Sequence, residues 1–175
     1  MDDLSKKLKI SKKTLYHCFG NKNELVRQTV QQHFAYIETR LDEISNMQIS
    51  AVARMVKAAS FAVEELSKVN PSMILDLHKY HPEVHQEMLV LRKNTIKELM
   101  MNNISNGRDF GFYRLDFNCE LISELFAEQI IYITENWAQH NTNEAAQGVF
   151  EYAIYHLRGI STEKGISELS TIQQS

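Results

Sequence analysis

The sequence predicts an all-α fold, and three observations carry that prediction. Apolar residues recur at helical spacing, and no segment alternates with period two for long. Only two prolines and six glycines occur in 175 residues, and Pro71 and Pro82 both stand where one helix can end and the next begin. Residues able to cap a helix start, such as Ser11, Asn21 and Asn141, stand ahead of periodic stretches.

The elements follow in order. A first helix ends near Leu8. Ser11 caps a second that runs from Lys12 to Phe19, where Gly20 supplies the stop. Asn21-Lys22-Asn23-Glu24 resembles a capping box, with Glu24 reaching back to Asn21, and opens a long helix towards Ile44. A further helix covers Ile49 to Val69 and is closed by Asn70-Pro71. Pro71 to Tyr80 reads as a short helix, and His81-Pro82 restarts a longer one that lasts until Asn106-Gly107. The stretch from Gly107 to Asp116 has two glycines and no period, which marks a connection. Asp116 or Asn118 caps a helix from Phe117 to His140, and a last helix ends at Gly159. The polar tail, residues 161–175, is expected to be partly disordered.

Composition excludes several classes. With 43% apolar residues the chain should fold, and its length is enough to bury a sizeable core. No apolar run approaches the ~18 residues of a membrane span, so no membrane partner is expected. The opening Met1-Asp2-Asp3-Leu4-Ser5-Lys6 carries charge where a signal peptide would be apolar. Cys18 and Cys119 fit no redox or metal spacing and read as reduced thiols. A cytoplasmic location is therefore expected.

The net charge of −3 conceals an asymmetry. Residues 1–27 hold seven basic and three acidic side chains, a net of +4, which leaves −7 on the rest. A short basic head on an acidic body suggests that the head meets a polyanion. Helix, the turn Lys9-Ile10-Ser11, then a short second helix is the spacing of a helix-turn-helix, whose second helix can enter the DNA major groove. Leu4, Leu8, Ile10, Leu15 and Phe19 would face inward. Ser11, Lys12, Lys13, Thr14 and His17 would then face outward, Tyr16 would offer a hydroxyl, and Lys22 would sit where helix N–H groups favour a phosphate.

Residues 3–26, through Ser11-Lys12-Lys13-Thr14-Leu15-Tyr16-His17-Cys18-Phe19 and the following Lys22-Asn23-Glu24-Leu25, closely resemble the DNA-binding signature of TetR-family transcriptional regulators. The resemblance implies that Lys12, Lys13 and Thr14 lie nearest the bases, while Ser11, Tyr16, His17 and Lys22 contact phosphates. It also implies a small effector bound by C-terminal helices, a dimer formed by the last two, and release of DNA on effector binding. Three departures stand out. Lys9 occupies a turn position where the family usually has Gly, so it should adopt a left-handed conformation costing ~1 kcal/mol or more. Cys18 replaces a more usual aromatic or His. The family has a whole helix ahead of the helix-turn-helix; its lack here leaves an incomplete three-helix bundle with wet apolar faces, and the expectation is that the true protein begins upstream of Met1.

The body, residues 46–160, is expected to bind effector and to dimerise, with residues 1–45 forming the head and its connecting helix. His81-Pro82-Glu83-Val84-His85 superficially resembles a zinc-protease helix, but Pro82 interrupts it and Glu83 is displaced, so no metal is expected. Met55, Met88 and Phe112 could line an effector pocket, with His78, Tyr80 and Arg92 as its orienting polar groups; ordinary core packing is the favoured reading of the apolar members, and a surface ion pair explains Arg92 equally well. Ile122, Phe126, Ile130, Ile133 and Trp137 make one stripe, and Phe150, Ile154 and Leu157 supply a companion surface for a four-helix homodimer interface. No enzyme signature is present, and no cofactor is expected.

Two functions remain open from these residues. One is a ligand-responsive repressor engaging a near-palindromic double-stranded operator as a homodimer. The other is a helical sensor or dimerisation module that no longer binds DNA, its first helix being absent.

Overall fold

The computed structural model describes residues 1–174, and every regular element in that span is a helix. In order these are α1 (Asp2–Leu8), α2 (Lys12–Phe19), α3 (Lys22–Ser45), α4 (Ala51–Ser67), α5 (Pro71–Tyr80), α6 (Pro82–Asp109), α7 (Cys119–Asn136), α8 (Thr142–Ile160) and α9 (Glu163–Gln174). Among the described residues no helix is long and apolar enough to cross a membrane.

Caps explain most of the starts. Ser11 Oγ accepts from the Thr14 N–H at 3.0 Å, and Asn118 Oδ1 accepts from the Leu121 N–H at 3.0 Å, which makes Asn118 rather than Asp116 the cap of α7. Asn21 Oδ1 accepts from the Glu24 N–H at 2.9 Å. The reciprocal half of the capping box is missing: the Asn21 N–H donates to Phe19 O, and the Glu24 carboxylate accepts from Gln28 instead.

The core lies where α4 packs along α8 and α6 along α7. Val52, Met55, Met100, Ile104, Phe126, Val149, Ala153 and Leu157 fill it. Three expectations change here. Helix α6 runs through Gly107 to Asp109, and Gly107 serves there not as a stop but as the gap into which the Tyr113 ring packs, where a Cβ would overlap it. The chain then folds back, and Tyr113 donates its buried hydroxyl to Asn103 Oδ1 at 2.7 Å, while Asn103 Nδ2 donates to Ala51 O at 2.8 Å. Helix α7 stops at Asn136, short of His140.

The third change is the tail, which is helix α9 rather than a disordered end. Thr162 Oγ1 accepts from the Gly165 N–H at 3.3 Å to start it, Leu169 is buried against the core, and Ser50 Oγ on the α4 side donates to Glu168 at 2.6 Å. Ser175 lies outside the described residues.

Candidate nucleic-acid interface and its attached body

The head is built from α1, α2 and the start of α3. Lys9 has φ 55° and ψ 36°, and its N–H and that of Ile10 close the paired bonds to Lys6 O and Ser5 O that turn the chain out of α1. Leu15 is buried and anchors α2. Facing away from it, Ser11, Lys12, Lys13, Thr14, Tyr16 and His17 are all exposed, as is Lys22 in the first turn of α3. These seven side chains occupy one short stretch of a basic surface. Lys12 is paired with Asp2, and the Ser11 hydroxyl shares a 2.8 Å hydrogen bond with Thr14 Oγ1, so a polyanion would compete for both.

The inward side is incompletely covered. Leu8 is 54% and Ile10 40% exposed, whereas both were expected to face inward. Two short helices have too little area to enclose them.

Head and body meet along α3 and α6. The Arg27 guanidinium donates twice to the Glu87 carboxylate, Nε to Oε2 at 3.1 Å and Nη2 to Oε1 at 3.0 Å, and Thr95 Oγ1 donates to Glu38 at 3.1 Å. Beside them a crevice of about 50 Å³ is lined by Val30, Phe34, Val84, Met88 and Leu91 among others.

The expected effector-pocket residues do not converge on one cavity. Met55 is buried core, and Phe112 lies half-buried beneath the Lys164 ammonium, 4.4 Å from its ring centroid. Tyr80 is exposed. Arg92 is committed to Glu135 at 2.9 Å and Thr134 at 2.6 Å, an internal ion pair rather than a free anchor. His78 is exposed on α5, its ring 5.1 Å from that of His85. The larger cavity, about 360 Å³, lies elsewhere, between α4 and α8, lined by Ser60, Val63, Ser67, Asn143, Gln147 and Phe150 together with Ala146. Periodicity marked these residues as helical but could not tell which face of α4 meets α8.

The expected interface stripe is largely consumed by the chain itself. Phe126, Ile130, Ile133, Ile154 and Leu157 are buried within the monomer, and Ile122 and Phe150 are half-buried against the same core. Trp137 is half-exposed and lies against Gly148. The surface left open is the opposite face, where Leu121 is 54%, Leu125 51% and Tyr132 54% exposed on α7, with Tyr155 75% exposed on α8. The wide apolar girth of α7 was legible; which half faces inward was not.

Among the described residues the chain is all-helical, with the short α1–α2 head preceding the body, and this fold occurs in a solved protein. A solved structure that shares it is the ketosteroid transcriptional regulator KstR2 of Mycobacterium tuberculosis, at a TM-score of 0.61 and 18% sequence identity, covering 92% of this chain and 84% of that one. No protein-family profile matches the chain, and no curated protein matches it by sequence.

Proposed function

We propose that the chain is a DNA-binding transcriptional regulator that acts as a homodimer and responds to a small effector. The observation that carries this reading is the presentation of Lys12, Lys13, Thr14, Tyr16 and His17 on the solvent side of α2, while Leu15 anchors its other side. Lysines there neutralise phosphates, and the N-terminal turn of such a helix is the part that reaches base edges. The TetR-like fold shared with KstR2 supports the same reading.

The coupling is mechanical. Effector binding in the body would shift α6, and α6 holds α3 through Glu87–Arg27 and Glu38–Thr95, so the spacing of two heads in a dimer would change. An effector does this only by binding one arrangement more tightly than the other. The likeness to a ketosteroid regulator makes ketosteroids one class to include in a thermal-shift screen of hydrophobic metabolites.

Gel-shift titration on a promoter library at two salt concentrations tests DNA binding. Sequence-selective binding that weakens with salt is expected, with at least a tenfold loss when Lys12, Lys13 and Tyr16 become Ala. The exposed Leu8 and Ile10 favour a second reading, a helical dimerisation module without DNA affinity. Absence of any selective shift would favour that one.

A further inference from the structure

We propose that α9 is a strap that locks the elbow between α3 and α4, with Glu168 as its positioning residue, so that the direction in which α3 carries the head depends on α9 being docked. The link within the elbow is unpacked: residues 46–49 are all exposed. The angle is therefore held by bonds at either end of the link. At the α3 end, Arg54 Nη1 donates to Ser45 O at 2.8 Å. At the α4 end, Ser50 Oγ accepts from the Ala53 N–H at 3.1 Å as the cap of α4 and donates to Glu168 Oε1 at 2.6 Å. That is the short length of a hydroxyl bonded to an ionised carboxylate, a stronger bond than one between neutral groups.

Helix α9 is itself anchored, so Glu168 pulls from a fixed point. The Thr162 N–H donates to Phe112 O at 2.9 Å, Lys164 Nζ donates to Phe110 O at 2.8 Å, and Leu169 is buried in the core. The same turn returns to α4 through the Tyr113 hydroxyl, Asn103 and Ala51 O. These contacts close a ring that meets the chain at the neighbouring residues Ser50 and Ala51. Without the Glu168 carboxylate, Ser50 would still cap α4, but α9 would lose its grip on the elbow.

The elbow matters because α3 is a lever. Its 24 residues span about 36 Å at 1.5 Å per residue, and a tilt of ~5° at the elbow moves the far end by ~3 Å. Helix α6 holds the lever along its length through Arg27–Glu87 and Glu38–Thr95. The first of these pairs is open to solvent, where an ion pair holds weakly. A rod keeps its direction only when a second point is fixed, and the elbow is that point. The consequence for DNA affinity rests on the regulator reading above; the lock itself does not.

The test reads the head-to-body distance in the full chain, with spin labels at Cys18, exposed on α2, and at Lys57→Cys, exposed on α4, in a Cys119→Ser background. Labelled chain is diluted into unlabelled chain so that only distances within one chain are read. A narrow distribution is expected in this parent. It should broaden, or shift by at least ~3 Å, in Glu168→Ala. Ser50→Asp should do the same, because it keeps a cap for α4 but sets a second carboxylate against Glu168. Glu168→Gln retains an acceptor oxygen and should keep the parent distribution. A residue that only stabilised α9 would lower the urea midpoint and leave the distance alone, so a Glu168→Ala distribution that superimposes on the parent's overturns the proposal. The distance is measured without DNA, so a failed gel shift would end the regulator reading and leave the strap standing.

Discussion

Lys9 is the clearest single-residue tension in the chain. It is the one non-glycine residue with positive φ among those described, and a Cβ in that region costs about 1 kcal/mol. Lys9→Gly should therefore raise stability by roughly that amount, read as a higher denaturation midpoint; an unchanged or lower midpoint would remove the strain argument. His156 carries a second, pH-dependent term. Burial pulls its imidazole from 6.5 down to about 4, with Phe126 packed 4.7 Å from its ring and Nε2 buried without a partner. Between those two pH values the unfolded chain takes up a proton that the folded chain refuses. Stability is thus full above pH 6.5 and falls as pH drops towards 4, by about 2 kcal/mol between pH 7 and pH 5. Urea unfolding at the two pH values measures it, and His156→Phe should flatten that part of the profile. The turn at Lys9 was readable from sequence because local sterics decide it; the fate of His156 was not, because two elements surround it.

Among the elements, α9 shows how composition misleads. Its residues are mostly polar, yet Gly165 and Leu169 are buried, and a Cβ on Gly165 would stand 2.9 Å from Ser161 Oγ. One inward face suffices to hold a short helix on a core that already exists. Leu169→Ala should cost ~2–5 kcal/mol, measured by denaturant unfolding, a loss no disordered tail could produce. Thr162 as a cap and the spacing of Leu169 and Ile172 were the signals available in the sequence. Helix α6 teaches the converse: Gly107 reads as a stop, but Tyr113 returns to fill the space that a side chain would need. Between α6 and α7, Lys93 and Lys97 hold the Glu124 carboxyl down at about 2; lying half-buried at the surface, these pairs set register more than they stabilise.

At the scale of the whole molecule, the open face of α7 and α8 is the surface on which the dimer proposal now rests. Leu121, Leu125, Tyr132 and Tyr155 present there the apolar area that an isologous pairing would cover. Leu125→Glu is expected to shift sedimentation at micromolar concentration from dimer to the 20.3 kDa single chain, whereas Phe126→Ala should lower stability first. A wild-type chain that sediments as a monomer would end the proposal. The head, by contrast, joins the body through α3, so its orientation depends on the Arg27–Glu87 and Thr95–Glu38 contacts and on the apolar packing around Phe34 and Val84 beside them.

By itself the sequence determined the all-α class, the helix starts marked by Ser11, Asn21 and Asn141, the left-handed turn at Lys9 and the basic stretch that α2 presents. Each depends on neighbours a few residues away, through capping bonds, backbone sterics and net charge. Tertiary structure alone decided that Phe126, Ile130 and Leu157 serve the interior, that Arg92 answers Glu135, that α9 docks, and that the rings of His78 and His85 meet where α5 turns into α6. Those outcomes depend on which faces of separate helices meet, and helical periodicity carries no information about the partner a face will find.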